Sequence, residues 1–436
     1  MGARLVWLTS LIMLSAGGLA AWSLTQGQDG PPSDPPRAKG RPAGPETLVP
    51  ASTSLARDPS KLTPLQQQLQ HSARRGADWL YRMNGPDGRF VHGYLPALKT
   101  PMEGDHYLHQ VGAAFALARA ARFTGEERYA ARATQAVLLL LGDTTVEGKD
   151  AQAVRFTRFS PAAINRLASA GLLVAAINEL PAPEKDLLEQ SEQLCNYIRR
   201  QQRADGSLHF TEEPSAGEKK AAEDSDGVSL HPGPALYGLM LSQRHRPAAW
   251  KTEAVRKALA YYRAWWKANK NPAFVPWQTA AYTEAFLQTK EAAFAEFVFE
   301  MNDWLCGLQY DRIDPRRPLW YGGFPEWADG RPAETAPGVA SAACAEALAE
   351  ACRAARQQQD GGVRFRRYGE ALERCLQFVS TLQYTDANTQ HFADWYRPAL
   401  LGAFHASHQD GNLRIDYNQH AVCALVQYLT HVARAN

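Results

Sequence analysis

Gly411-Asn412-Leu413-Arg414-Ile415-Asp416-Tyr417-Asn418-Gln419-His420 packs an arginine, an aspartate, a tyrosine, a glutamine and a histidine into ten residues, then runs straight into an apolar helix, Ala421 to Val432. A buried helix does not need so many kinds of polar side chain at its mouth. The stretch therefore reads as one polar opening on a scaffold that gathers others around it. Asp416 and His420 stand four apart and share a helix face. A purely structural reading stands beside this one: Asp416 caps the last helix and Arg414 pairs with it.

Working back from this stretch, helix-period segments recur from Leu65 onward and strand-period segments are scarce. Twelve helices are expected, over 65–84, 107–123, 126–141, 161–180, 184–202, 232–244, 251–269, 277–289, 291–308, 338–357, 363–383 and 418–433. Short connections follow the even-numbered helices: Thr124-Gly125, Pro181 to Pro183, His245 to Trp250, Lys290, and Gln358 to Gly362. Most long ones follow the odd-numbered helices, at 85–106, 142–160, 203–231, 309–337 and 384–417. A short turn joins antiparallel neighbours, so the short turns collect at one end and the long loops at the other. The pattern predicts an all-α domain over 64–436, an (α/α)6 toroid of six helical hairpins whose first and last hairpins are neighbours. A weak repeat of helices ending in polar exits, at Asn84, Gln202, Gln309 and Gln383, supports it; in the first two an Asp-Gly pair supplies the turn.

Ahead of that domain, Arg4, the apolar run Leu5 to Leu19 and the small residues Gly18 and Ala20 read as a signal peptide or membrane anchor over 1–25. Residues 26–63 are dense in Pro, Gly, Ser and Thr and read as a disordered linker. The chain is thus expected outside the cytoplasm, periplasmic or secreted, touching membrane only through its N-terminal segment. The net charge of +2 over 436 residues gives no footing for nucleic acid. Six cysteines lack any CxxC pair and fall inside apolar helical patterns, as small buried hydrophobes do; Cys352 with Cys375 is the one disulfide that export would make plausible.

The long-loop end holds the candidate chemistry. Glu103-Gly104-Asp105-His106-Tyr107-Leu108-His109-Gln110 enters the second helix, with His106, His109 and Gln110 on one face and Asp105 as a cap or a carboxylate facing the mouth. Arg155 and Arg158 precede Ser160-Pro161, itself a helix start. Glu223-Asp224-Ser225-Asp226-Gly227 resembles part of a calcium loop but lacks the spaced ligands. His231-Pro232-Gly233 directly precedes a helix. Trp277 and Tyr282 are core residues or sugar platforms, Trp320 and Tyr321 beside Gly322-Gly323 make a stacking wall, and Glu346 points either inward or to solvent. His405-Ala406-Ser407-His408 lacks a third ligand, so no metal and no other cofactor is expected.

Tyr107-Leu108-His109-Gln110-Val111-Gly112, Thr124-Gly125-Glu126-Glu127-Arg128-Tyr129, His231-Pro232-Gly233-Pro234-Ala235-Leu236 and Arg414 through Ala421 together resemble an uncharacterised bacterial family of the six-hairpin glycosidase-like superfamily, from about Leu65 to the C-terminus. The C-terminal domain of glucuronyl C5-epimerases is similar in fold. In that family the third motif is usually Pro-Gly-Glu; here Pro234 stands where the glutamate would be. The resemblance implies a carbohydrate-active role on a polysaccharide or oligosaccharide.

Two mechanisms fit that role. Inverting hydrolysis needs two carboxylates roughly 6.5–9.5 Å apart, for which Asp105 and Asp416 are the pair. Uronate epimerisation or elimination needs Arg414 or Arg155 to neutralise the sugar carboxylate and Tyr417 or His420 to move the C5 proton. Glu103, His106, His109, Gln110, His231, Tyr282, Trp320, Tyr321 and Gln419 are the expected substrate contacts. A non-catalytic glycan-binding or scaffold module is the alternative, motivated by Pro234. A terpene-cyclase-like toroid ranks third, because the chain shows no Asp-x-Asp-Asp acid and no Asp/Cys/His zinc set.

Overall fold

The structure, a computed structural model, describes residues 54–56, 58–159, 164–211, 225–358 and 361–433. The segments read as signal and most of the linker, the helix start at 160–161 and the acidic residues at 223–224 lie outside these.

Fourteen helices are present among the described residues: α1 Pro64–Met83, α2 Tyr107–Thr124, α3 Glu127–Gly142, α4 Arg166–Glu179, α5 Lys185–Arg200, α6 Ser225–Leu230, α7 Pro232–Ser242, α8 Ala249–Ala268, α9 Val275–Thr289, α10 Ala292–Cys306, α11 Ser341–Arg356, α12 Gly362–Thr381, α13 Arg397–Leu400 and α14 Ile415–Gln427. The twelve expected helices are all there; α6 and α13 are short additions too brief to show a period. Helices α2, α4, α7, α9, α11 and α14 pack each on the next, and α14 packs back on α2, so the inner ring closes. α3, α5, α8, α10 and α12 lie outside their inner partners, and α1 lies against α14. The first and last helices thus form the sixth hairpin, as the alternation of loops requires.

Residue type sorts the two layers. Inner helices are buried on nearly every side: α2 buries Ala113, Ala114, Ala116, Ala118, Ala120 and Ala121 around Phe115 and Leu117. The outer α5 buries only the stripe Leu187, Ser191, Leu194, Cys195, Tyr197 and Ile198. Small residues let inner backbones approach closely. A Cβ on Gly171 of α4 would fall on the backbone of Pro234 and Ala235 in α7. Pro234 therefore sits at the packed α4–α7 contact and is buried.

The weak repeat becomes a structural device. At the exits of α1, α5, α10 and α12, an amide side chain donates to the carbonyl of a glycine further along. Asn84 reaches Gly88 at 2.7 Å, Gln202 reaches Gly206 at 3.2 Å, Gln309 reaches Gly322 at 2.9 Å and Gln383 reaches Gly402 at 3.0 Å. All four glycines are left-handed, with φ between 88° and 92°. Each is pressed on a carbonyl of the next outer helix around the ring, at Gln135, Lys257, Arg374 and Arg75 respectively. Two residues later Phe90, Leu208, Phe324 and Phe404 turn inward and are buried. The glycine is required twice over, by its φ and by the absent Cβ.

Among the described residues, the long-loop rim carries eight short strands. β1 Gly93–Leu95, β2 Thr100–Pro101, β7 His405–Ser407 and β8 Asp410–Arg414 form one antiparallel sheet in the order β2-β1-β8-β7. Gly93 pairs with Arg414 and Tyr94 with Leu413, so this sheet stitches the loop after α1 to the loop before α14. β3 Thr144–Glu147 pairs with β4 Val154–Thr157, and β5 Trp327–Ala328 with β6 Arg331–Pro332. No described helix is long and apolar enough to cross a membrane. The disulfide considered between Cys352 and Cys375 is not formed: all six thiols are free, and these two donate to the carbonyls of Phe365 and Ser341.

Gly104 and Gly402 are both left-handed, but only Gly402 abuts a neighbour, the Arg75 carbonyl of α1. Gly402→Ala is expected to destabilise the domain by about 1–3 kcal/mol more than Gly104→Ala, as overpacking does. Urea denaturation of the two variants measures the difference.

Candidate functional site

The N-termini of the six inner helices surround one mouth on the long-loop side, and their unpaired N–H groups give it partial positive charge. Five segments supply its side chains. The segment leading into β1 brings His92, the start of α2 brings Asp105, His106, His109 and Gln110, and β8 with the start of α14 brings Arg414, Asp416, Tyr417, Gln419 and His420. α11 adds Glu346 and α9 adds Trp277.

Three histidines form a column. His106 and His109 stack at 4.0 Å between ring centroids, and His92 stacks on His109 at 5.3 Å, with His92 Nε2 and His109 Nδ1 3.0 Å apart. His109 Nδ1 lies 3.7 Å from Asp416 Oδ1. Burial pushes the His109 imidazolium down to about 3, and it lowers His92 and His106 as well. These rings are neutral at pH 7. No group of three or more His, Cys, Asp or Glu among the described residues is arranged to hold a metal ion.

The two aspartates expected as a catalytic pair are both locked. Asp105 Oδ2 accepts from Arg89 at 2.5 Å, while its Oδ1 accepts from the His106 amide and from Gln110 Nε2, each at 2.7 Å. Gln110 in turn clamps the Phe90 backbone through both ends of its amide at 2.8 Å. Asp416 takes a fork from Arg414, Nε to Oδ1 at 2.9 Å and Nη2 to Oδ2 at 2.5 Å, and the guanidinium lies 4.7 Å over the Tyr417 ring. Burial would raise the Asp416 carboxyl; His109 and Arg414 outweigh it and hold it below the usual carboxylate range. With His109 neutral, the Arg414 fork is the part of that effect that persists at pH 7. The cap expected at Asp105 is not made in the ordinary way, since the capping position of α2 is His106, which makes no side-chain cap.

His420 differs from the other histidines. Its Nδ1 lies 2.5 Å from Glu346 Oε1, and its ring meets Trp277 edge-to-face at 6.3 Å. Burial would lower its imidazolium, but Glu346 outweighs burial and raises it. The side chain is 25% exposed while Glu346 is 10% exposed, so the carboxylate sits behind the ring and the ring faces the mouth. Below them Phe115, Tyr237 and Trp277 form an aromatic floor, and Arg119 lies 4.5 Å over Phe115 and donates to the Tyr237 hydroxyl at 2.8 Å.

Other expected contacts lie elsewhere. Tyr282 is fully buried against Phe294 and Phe297 of the outer α10, so it is core and not a sugar platform. Arg155 binds Gln193 of α5 at 3.0 Å and Thr144 at 2.6 Å, on the outer layer. Trp320 packs on Tyr310 with Arg317 over its face, and Tyr321 follows it in the loop held to α12 by Gly322. His231 stands at the N-cap position of α7, across the ring from α14, without a side-chain cap and with its ring against Phe210. Glu103 is exposed before α2. Gln419 is buried, its amide filling the space beside Gly112 of α2. His92 was not among the expected site residues: it follows Phe90-Val91 in a segment without helix period. Glu346 was open between inward and outward, and its alanine neighbours, signature of an inner helix, were the signal.

No family model matches the chain, and none of the curated proteins matches it in sequence. Solved structures do match in fold. Cellobiose 2-epimerase from Bacillus thermoamylovorans superposes with a TM-score of 0.59 at 11% identity, covering 84% of this chain and 98% of that one. An unsaturated glucuronyl hydrolase specific for heparin gives 0.56 at 13%, covering 83% and 96%. The α-1,6-mannanase from Salegentibacter sp. HEL1_6 gives 0.54 at 10%, covering 82% and 98%. The chain thus shares the fold of these structures, a closed ring of six helical hairpins.

The two kinds of histidine carry opposite pH signatures. His109 has its folded value near 3 against 6.5 ordinarily, so its contribution is present above pH 6.5 and drains away as pH falls towards 3. His420 is raised, so its contribution is present below 6.5 and lost as pH rises through its folded value. Urea melts between about pH 4 and pH 8 should show stability rising with pH on the acid side, and His109→Gln should flatten that limb while Glu346→Gln flattens the alkaline one.

Proposed function

We propose that this protein is a carbohydrate-active enzyme that moves a proton on a sugar carbon next to a carbonyl, as an epimerase or isomerase of reducing oligosaccharides does, with His420 as acid–base and Glu346 orienting it. The observation that carries this is the His420–Glu346 contact at the mouth of the ring. Glu346 on Nδ1 leaves Nε2 as the nitrogen that meets substrate. Burial opposes the imidazolium, but Glu346 outweighs it and favours the protonated form, so the ring holds the proton that an acid–base group passes to substrate.

Inverting hydrolysis has less support. It needs one carboxyl able to donate and one carboxylate free to activate water. Asp105 is held by Arg89 and Asp416 by Arg414, and neither is free for either task. Uronate chemistry also weakens, because Arg414 is occupied by Asp416 and Arg155 lies on the outer layer. A neutral aldose needs no such cation: its carbonyl acidifies the adjacent C–H. Trp277 and Tyr417 offer apolar faces for the ring. The fold neighbours include a cellobiose epimerase and a D-mannose isomerase, which agrees with this choice among readings. We also propose that residues 1–25 export or anchor the chain, which fractionation of cells expressing it with and without that segment tests.

Incubation with cellobiose, mannobiose and free mannose in D2O, followed by NMR, tests the reaction. Deuterium should enter at C2 where an epimer of one of them appears, or at C1 where a keto isomer appears. His420→Gln should lower the rate by about 10²–10⁴-fold, and Glu346→Gln should lower it less and move the acid limb of the pH profile down. Asp105→Asn should act mainly on stability. Bond cleavage without deuterium entry, or binding without turnover, would replace this reading by hydrolysis or by a binding module.

A further inference from the structure

The other end of the ring holds a second chamber, of about 390 Å³, among the C-terminal turns of the six inner helices. It is separated from the mouth by the layer of Arg119, Tyr237, Trp277 and Glu346, where the remaining void is about 10 Å³, room for about one water. Four arginines, Arg119, Arg122, Arg244 and Arg353, line it with three glutamates, Glu179, Glu284 and Glu350. The pairing inside is dense. Arg353 binds Glu350 at 2.6 Å and Glu284 at 2.9 Å, Arg244 forks on Glu284, and Gln427 Nε2 donates to Glu350 Oε1 at 2.7 Å.

Two features are left over from that network. The first is Arg122, whose nearest carboxylate is Glu179 at 4.0 Å and whose side chain is 37% exposed. The helix C-termini account for some excess of cations at this end, but a guanidinium at that distance from its partner is available to another anion. The second is a pair of acceptors: Gln427 Oε1, on a side chain only 4% exposed, and Thr430 Oγ1 are buried without a hydrogen-bond partner. Both residues line the chamber, and an amide oxygen and a hydroxyl buried there without partners are what a ligand rich in hydroxyls satisfies.

We propose that this chamber is a second ligand site, separate from the mouth, for a small hydroxylated monoanion such as a sugar acid. Its carboxylate lies on the arginine side with Arg122, and its hydroxyls donate to Gln427 Oε1 and exchange with Thr430 Oγ1. Leu55, held at the chamber's edge by Ser54 and Ala56 on the Phe123 carbonyl, borders the entrance. The site does not depend on the reaction proposed for the mouth.

Titration calorimetry of the full chain with D-gluconate and with its neutral counterpart D-glucitol tests it. Gluconate should bind one per chain and glucitol about tenfold or more weaker, as expected for loss of a charge-assisted contact. Gluconate binding should persist in His420→Gln, which alters only the mouth. It should weaken about tenfold in Arg122→Ala and in Thr430→Val, two substitutions that leave the buried Glu284–Arg353–Glu350 network intact. Thermal melts confirm that both variants fold. No gluconate binding, equal binding of glucitol, or loss in His420→Gln with both chamber variants unaffected would overturn the proposal.

Discussion

The last inner helix closes the ring, and it does so by lying between elements from the far ends of the domain. α14 packs on α2 and α11 within the inner layer and on α1 outside it. Just before it, β8 pairs with β1, and the Ile415 amide donates to the His92 carbonyl at 3.0 Å. Residues more than 300 positions apart are joined there, as in the Ser72 hydroxyl donating to Gln383 at 2.9 Å. Without that closure His92, His109, Asp416 and His420 would sit on separate ends of an open stack.

Closure also decides the electrostatics. Six helix N-termini face one way and six C-termini the other, so the ring has two chemically different ends. At the N-terminal end the carboxylates are either held by arginine or placed behind a histidine, and the neutral histidine column lines the wall. At the C-terminal end arginines outnumber glutamates. Between them an aromatic and arginine layer, Phe115, Tyr237, Trp277 and Arg119, keeps the two ends apart. The polar axis of this otherwise alanine-rich core is thus divided into compartments by a few large side chains.

Much of this was legible from residues 65 onward. The recurring helix period announced the helices, and the turn lengths placed the long loops on one rim. The polar exits at Asn84, Gln202, Gln309 and Gln383 were visible as a repeat, though their role as amide clamps on left-handed glycines needed the tertiary path. The site was legible in part. His106, His109, Asp416 and His420 come together because they start α2 and α14, but the sequence could not show that Asp105 and Asp416 are each consumed by an arginine, since Arg89 lies 16 residues from Asp105 and packs there through the loop. Glu346 pairs with His420 across 74 residues, a distance no local pattern spans. Tyr282 stood between core and platform because an inner helix is aromatic on its outward face too, and only packing tells which way it turns.

Pulsed electron spin resonance between labels at positions 68 and 370 tests the closure most directly. Gln68 and Glu370 are exposed on α1 and α12, outer helices that meet only because the ring closes, and Gln66 and Glu370 line one surface groove between them. A closed ring predicts one narrow, short separation, that of helices about 8–10 Å apart plus the label arms. A long or broad distribution would mean an open superhelix, and the shared mouth would not exist.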